Sequence, residues 1–266
     1  MKIVMLGDCH LIADADPYTN LHRIRAFFKN AWPSVRRLLR RINEESPDLT
    51  VILGDLVDWF SPENTAFGLE LLSTLRSPWH MIPGNHDIQK PSGGFDQDRF
   101  EMDADRARLA YWQSLGVDLS TRVVDLGSRR LVLLDNSLSD VTAGTAEILQ
   151  TWLSEEKPSL LCAHVPCDLP FIREYILSID AARNLKKYVQ SGTPDLYRDV
   201  LKARVTDIFT AHLHFPGLLE DESTRFHLCG LSTSIHDPYR NQTAVAEALV
   251  VEQSNGALTR RVVTED

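Results

Sequence analysis

Basic charge is in short supply in this sequence. Against 37 Asp and Glu stand 28 Lys and Arg, a formal net charge of −9. Proteins that grip nucleic acid along its backbone do so with Lys and Arg that displace counterions from phosphates, so this balance disfavours long nucleic acids as partners. Cysteine is scarce too. Cys9, Cys162, Cys167 and Cys229 are irregularly spaced and form no C-x-x-C pair, which argues against a disulfide framework or a structural zinc finger and for a reduced compartment. No apolar run approaches the roughly 18 residues of a membrane span. Met1 leads into Ile3-Val4-Met5-Leu6 and then charge rather than into a signal-peptide core, so a soluble, unprocessed, cytoplasmic chain is expected. Internal repeats, low-complexity linkers and any mark of a domain boundary are also missing. Residues 1–266 are therefore read as one domain.

Hydrophobic residues make up 43% of the chain and charged ones 24%, enough apolar material for a substantial core. Short apolar runs at residues 2–6, 49–53 and 79–82 alternate with helix-length amphipathic stretches at 32–43 and 62–75. That order is the β-α-β-α-β signature of a layered α/β fold. Pro33 and Pro62 sit where a first helical turn tolerates proline, and Ser46-Pro47 closes the helix before the second strand. Residues 88–98, rich in Pro, Ser, Gly, Asp and Gln, read as an exposed loop. A helix over 103–115, a hairpin of 123–126 with 130–134 around Gly127-Ser128, a helix over 144–153 and a strand over 159–162 follow. Residues 165–195 look helical but irregular. The last third holds strand candidates at 207–210, 217–220, 225–228, 246–251 and 258–263, spaced as in a meander. Two sheets packed face to face with helices outside are expected.

The ionisable residues fall at the ends of these strands. Asp8 and His10 follow the first, Gly54-Asp55 and Asp58 the second, and Gly84-Asn85-His86-Asp87 the third. His164 ends the 160–163 run, and His212-Leu213-His214 follows 208–210. Ligands of open α/β sheets bind beyond the carboxyl ends of the strands, so separate strand ends deliver polar groups to one rim. Residues two apart in an extended segment project to the same side, which lets Asp8 and His10, or His212 and His214, face one ion. Gly54 and Gly84 allow the sharp turns that aim the next side chain. The set of imidazoles, carboxylates and one amide carbonyl lacks thiolate and suits Mn, Fe or Zn. It is too large for one ion and enough for two with a shared carboxylate.

These motifs resemble those of the calcineurin-like metallophosphoesterases: D-x-H, G-D-x-x-D, G-N-H-[DE], an isolated H and G-H-x-H appear here as Asp8-Cys9-His10, Gly54-Asp55-Leu56-Val57-Asp58, Gly84-Asn85-His86-Asp87, His164 and Ala211-His212-Leu213-His214. The resemblance implies a four-layer αββα sandwich of two mixed sheets flanked by helices. It further implies that Asp8, His10, Asp55 and His214 hold one metal, that Asp55, Asn85, His164 and His212 hold the other, and that Asp55 bridges them. His86 then matches the catalytic general acid, and Asp58 the acid that orients its ring. Two such cations neutralise phosphate oxygens and bring the pKa of a bridging water toward about 7, supplying hydroxide at neutral pH. Ala211 replaces the usual glycine, so local strain is expected there.

Trp59-Phe60 after Asp58, where protein phosphatases carry Arg-Gly, and the sequence Leu133-Leu134-Asp135-Asn136-Ser137 look most like the bacterial cyclic-nucleotide and glycerophosphodiester phosphodiesterase branch. The expected activity is hydrolysis of a small phosphodiester; a phosphomonoesterase or nucleotide-pyrophosphate hydrolase is the alternative. A DNA nuclease and a non-catalytic scaffold rank lower, the first for its charge and the second because no ligand is lost. A homo-oligomer is compatible with the chain.

Other residues carry plainer expectations. Asp87 is read as a helix N-cap, Cys9 as a small core residue, and His22, His80 and His227 as structural or surface groups. Asn85, His236 and Arg240 are candidates for substrate contact, and Trp59, Phe60 and Phe95 pack or stack a base. The loops 88–98, 165–181 and 236–243 are expected to set specificity, and Arg36, Arg37, Arg40 and Arg41 to form a solvated helix face.

Overall fold

The structure, a computed structural model, describes residues 1–230, 246–254 and 257–266. One sheet runs in the order β13-β12-β1-β2-β3, with β1 (Lys2–Leu6), β2 (Leu49–Ile52), β3 (Trp79–Met81), β12 (Glu247–Ser254) and β13 (Ala257–Thr264). A second has the order β10-β11-β9-β8-β7-β6, built from β6 (Arg122–Asp125), β7 (Arg130–Leu133), β8 (Ser159–Cys162), β9 (Val205–Thr210), β10 (Gly217–Glu220) and β11 (Arg225–Leu228). Both are mixed: β1, β2 and β3 are parallel while β12 is antiparallel to β1, and β7, β8, β9 and β11 are parallel with antiparallel edges.

Alternation along each strand sorts its side chains between two layers. Ile3 and Met5 of β1 meet Leu131, Leu160 and Phe209 of the other sheet. Val4 and Leu6, pointing the opposite way, pack with Val35, Leu38, Leu39 and Ile42, residues of α2 (Ala26–Glu45). On the far side Val132, Leu161 and Ile208 pack with Leu149, Ile172 and Ile176, which belong to α5 (Ala143–Trp152) and α6 (Pro170–Ile179). Strands covered on both faces read as continuous apolar runs, and hence every residue of β2, β7 and β8 is buried. The layering is the expected αββα sandwich.

Helix α2 buries Phe28, Ala31, Val35, Leu38, Leu39 and Ile42 at helical spacing. Arg36, Arg37 and Arg40 lie exposed on its other face. Its start at Ala26 puts Pro33 inside the helix rather than in its first turn, because the apolar stripe already begins at Phe28 and the half-exposed proline forgoes one backbone bond. Pro62 does open α3 (Pro62–Leu72), capped by the Ser61 side chain on Asn64 N. The segment 88–98 is partly ordered into β4 (Gln89–Pro91), paired with β5 (Met102–Ala104). Nor is the last third a meander, since β9 and β11 lie side by side in parallel while β12 and β13 cross to the other sheet. Among the described residues no helix is long and apolar enough to cross a membrane.

Candidate metal centre

The carboxyl ends of the parallel strands of both sheets converge on one place. Backbone bonds stitch the first two loops together, Asp8 N to Gly54 O at 3.0 Å, His10 N to Asp55 O at 3.0 Å and Leu11 N to Leu56 O at 2.9 Å. The sheets are tied across the same point, because His212 N donates to Asp8 Oδ2 at 2.9 Å and the His164 ring to Leu53 O at 2.7 Å. Gly54 and Gly84 meet face to face. A Cβ on Gly84 would stand 2.1 Å from Asp55 Oδ1, and one on Gly54 would stand 2.5 Å from Gly84 N.

Three overlapping groups of potential ligands form here among the described residues, Asp8 with His10 and His214, Asp55 with His164 and His212, and a third that joins His10 and Asp55 with His86. Asp55 also reaches the first group, its Oδ2 lying 3.8 Å from His10 Nε2 and 3.2 Å from His164 Nε2. Tautomers reveal what these rings face. His164 Nδ1 and His212 Nε2 each lie against a carbonyl, Leu53 O and Lys187 O, at 2.7 Å. Carbonyls only accept, so both outer nitrogens carry the hydrogen. The inner nitrogens, His164 Nε2 and His212 Nδ1, then turn lone pairs toward each other at 3.1 Å. Such a pair needs a cation between its members. Without a metal a proton takes that role: burial disfavours charge on His164, but Asp55 outweighs it and raises the pKa to about 9, whereas burial and the charge on His164 hold His212 at about 3. His10 and His214 are lowered by burial as well, the neutral state a ligand requires. Burial holds the Asp8 carboxyl well above its usual range, and the nearby Asp55 adds to this.

Asn85 supplies an independent sign. Its Oδ1 is buried with no hydrogen-bond partner among the described residues, while Nδ2 donates to Gln89 Oε1 at 3.2 Å and fixes the amide. An orphaned buried acceptor on a residue that lines the same cavity as Asp55 and His212 suits a divalent cation. The residues present therefore fit divalent cations, and Asp55 lies within reach of both groups.

His86 Nδ1 donates to the backbone carbonyl of Asp58 at 2.6 Å, leaving Nε2 toward the cavity, and the ring stacks on Phe100 at 5.9 Å. A nitrogen of His86 also falls in one group with His10 and Asp55. The Asp58 carboxylate lies at ion-pair distance from His86, its nearest oxygen 3.6 Å from Nδ1, but beyond hydrogen-bond reach. It holds His10 Nδ1 at 2.9 Å instead and takes both Nε and Nη2 of Arg25 at 2.6 Å. The hydrogen bond that the sequence assigned to the acid is thus accepted by the peptide carbonyl of the same residue. Burial alone would raise the Asp58 pKa, but Arg25 and then His10 hold it well below the carboxylate range.

Asp87 is no helix N-cap, since β4 follows it. It is buried, and its oxygens accept from Asp55 N and Gly84 N at 2.8 Å and from Val57 N at 3.2 Å, clamping the two glycine turns together; burial and the Asp55 charge raise its pKa to about 7. Strain falls on the candidate ligands rather than on Ala211: Asp8, His10, Asp55, His212 and His214 all have φ between 47° and 70°. Ala211 packs its Cβ where a Cβ on Gly7 would come within 2.9 Å.

Sequence reasoning missed Arg25, Asp16 and Phe100. Asp16 is buried and binds Trp59 Nε1, Ser61 Oγ and Tyr18 N. Trp59 is thereby a fully buried packing residue, Phe60 packs on Tyr111 and Phe95 on Tyr18. Cys9 is buried, and His227 pairs with Asp207 inside the fold at 2.9 Å. His236, Arg240 and the loop 236–243 lie outside the described residues. A cavity of about 970 Å³ opens over the centre; the stretch 182–191 lines it, and of 165–181 only Asp180 does.

The family model for calcineurin-like phosphoesterases matches residues 1–216. The chain belongs to that family and is a phosphoric ester hydrolase. It is 25% identical over 233 residues to a probable cyclic nucleotide phosphodiesterase of Rhodopseudomonas palustris, covering 81% of this chain and 72% of that one. It is 29% identical over 145 residues to the 3′,5′-cyclic adenosine monophosphate phosphodiesterase CpdA of Haemophilus influenzae, 52% of this chain and 50% of that one. With the glycerophosphodiester phosphodiesterase GpdQ of Enterobacter lignolyticus the identity is 30% over 135 residues, 46% and 43% of the two chains. The chain thus spans half or less of these last two relatives. Among solved structures, a dimetal phosphatase from Danio rerio shares the fold at TM-score 0.65 and 11% identity, over 99% of this chain and 98% of that one.

Proposed function

We propose that the chain is a dinuclear metal-dependent phosphodiesterase acting on small phosphodiesters of the cyclic-nucleotide kind, the activity named for its bacterial relatives. One observation carries the metal dependence: inward-facing lone pairs of His164 and His212 at 3.1 Å, beside a cavity lined by His212 and by Asn85, whose buried Oδ1 has no partner among the described residues. Asp8, His10, Asp55 and His214 would hold one ion and Asp55, Asn85, His164 and His212 the other. Bound there, two divalent ions supply Lewis acidity at the phosphate and a nucleophile from water at neutral pH.

The protein's own groups do the rest. The Asp58 carbonyl fixes the Nδ1–H tautomer of His86, so Nε2 faces the cavity and, when protonated, hands its proton to the departing alkoxide. The Asp58 carboxylate fixes His10 in turn, and Arg25 fixes Asp58. Phe100 and Phe28 line the cavity beside this relay, against Arg25 and the His86 and His10 rings. A single cytosolic domain, with small phosphoesters rather than long nucleic acids as its partners, fits this reading and the −9 charge.

The test is turnover of bis(p-nitrophenyl) phosphate with Mn²⁺, expected to vanish on EDTA treatment and return with added metal. Absence of turnover with Mn²⁺, Fe²⁺ and Zn²⁺ alike would overturn the proposal, as would a kcat/KM on p-nitrophenyl phosphate far above that on the diester.

A further inference from the structure

The stretch Leu133-Leu134-Asp135-Asn136-Ser137 at the end of β7 supplies none of the candidate ligands. Asn136 in it is fully buried, and a buried amide must find partners for two N–H donors and for an oxygen that accepts twice. All four are met. Nδ2 donates to Val165 O at 2.7 Å and to Gln190 Oε1 at 2.8 Å, while Oδ1 accepts from His164 N at 2.9 Å and from Val165 N at 3.0 Å. An Asp here would lack the donors, and a Leu would lack both kinds of partner.

Gln190 continues the chain of bonds. It is buried, its Nε2 donates to Thr193 O at 3.1 Å and Oγ1 at 3.0 Å, and its backbone N donates to Pro166 O at 2.9 Å. Two residues on, Gly192 N donates to Ser139 O at 2.8 Å, an approach so close that a Cβ on Gly192 would stand 2.5 Å from the Asp140 Cβ. The segment 185–193 is thereby clasped to the loops that follow β7 and β8. Lys186, Lys187, Tyr188 and Ser191 of this segment form one wall of the cavity.

Two histidines of one candidate group meet that wall. Lys187 O, in α7 (Leu185–Tyr188), takes the hydrogen of His212 Nε2 at 2.7 Å, and the Tyr188 ring packs on the His212 ring at 5.1 Å. His164 is met through Asn136, which holds its backbone N, while Leu53 O holds its ring. His10, in another group, is held from elsewhere, by the Asp58 carboxylate that Arg25 fixes. Outer contacts of this kind orient metal-binding imidazoles. A buried amide network with every member satisfied is rigid, and one broken link leaves its partners unpaired.

We propose that Asn136 and Gln190 are positioning residues, which lock the cavity wall 185–193 to His164 and, through Lys187 O, to His212, so that the wall and this imidazole pair are ordered as one unit. The consequence for metal binding rests on the dinuclear reading; the ordering itself does not. Gln190→Met keeps the volume but removes the acceptor for Asn136 and the donor to Thr193, whereas Gln190→Glu keeps the acceptor. Amide hydrogen exchange of the EDTA-treated proteins, read by NMR, should be about tenfold or more faster at His164, Val165 and residues 187–190 in Gln190→Met, unchanged at Val4 and Val51, and closer to wild type in Gln190→Glu. In the wild type itself these amides should share one opening constant within about threefold, a readout that needs no variant to fold. Calorimetric titration of Mn²⁺ should show the step that His212→Ala abolishes weakened about 10–100-fold in Gln190→Met, and the other step moved by less than about threefold. Separate opening constants in the wild type, exchange at 164–165 unmoved within about twofold, or both Mn²⁺ steps weakened alike would overturn the relay. A wild type that binds no Mn²⁺ but whose exchange at 164–165 responds to Gln190→Met would overturn the dinuclear reading and leave the relay standing.

Discussion

Replacing Arg25 by Ala tests the least anticipated contact of the centre. Asp58 is fully buried, and its carboxylate is held by two short bonds from Arg25 and one from His10. Charge-assisted bonds contribute about 1.5–3 kcal/mol each, and removing one partner of a buried pair costs about 3–5 kcal/mol because the other charge is stranded. The Arg25 side chain is 18% exposed, so water screens little of this. Its guanidinium also fills the gap between Phe28 and Phe100, and that packing is lost with it. Arg25→Ala should therefore cost about 3–5 kcal/mol.

Urea unfolding of the EDTA-treated protein reads this directly, and the thermal midpoint should drop by about 6–10 °C for a chain of this size. The double cycle with Asp58→Asn isolates the charge: in that background Arg25→Ala should cost at least about 2 kcal/mol less. Metal affinity offers a second readout, since Asp58 positions His10 and loss of such a partner weakens binding about 10–100-fold. A cost below about 1 kcal/mol, with coupling below about 0.5 kcal/mol, would refute the stranded-charge account.

Other perturbations follow from the same geometry. Gly84→Ala drives a methyl into Asp55 Oδ1 and its backbone N, so metal per chain measured by plasma emission should fall below that of the wild type; full retention would show that the turns can part. His86→Ala should keep the metal content and reduce kcat about 10²–10⁴-fold, whereas loss of metal would make His86 a ligand. Asp207 lies away from the centre, bonded to His227 at 2.9 Å and Arg225 at 2.8 Å; burial would raise its pKa, but these partners lower it from 3.8. A depressed carboxylate stabilises above its unfolded pKa and loses that contribution as pH falls through the folded one. The stability gap between Asp207→Asn and the wild type, from urea midpoints, should accordingly narrow below about pH 4, and a constant gap would contradict the ion pair.

The strands and the candidate ligands were legible because both follow local rules. Runs such as Leu49–Ile52 are apolar throughout only because two layers cover them, and Asp, Asn or His placed just after such a run lands at a sheet end whatever the rest of the chain does. Arg25 follows no local rule. Its partner is 33 residues away, it belongs to no motif, and an arginine between two helices ordinarily reads as solvated. Asp87 misled for a related reason: a carboxylate after Gly-Asn-His resembles a cap, while its actual donors, Asp55 N and Val57 N, come from another loop. The hydrogen bond expected at the Asp58 side chain is accepted by its own peptide carbonyl, with the carboxylate 3.6 Å away, and nothing in residue identity separates the two.

Backbone strain was the least legible feature, and it bears most directly on how the centre forms. Left-handed φ at Asp8, His10, Asp55, His212 and His214 costs of order 1–3 kcal/mol at each residue. Glycine would remove that cost and remove the ligand with it, so no glycine marks these positions in the sequence. The conformations persist because each of several strained residues has its N–H committed: Asp8 to Gly54 O, His10 to Asp55 O, Asp55 to Asp87 Oδ2 and His212 to Asp8 Oδ2. None of these bonds needs a cation. The protein thus sets the directions of these candidate ligands through its own backbone, and the cost of that arrangement is met by folding.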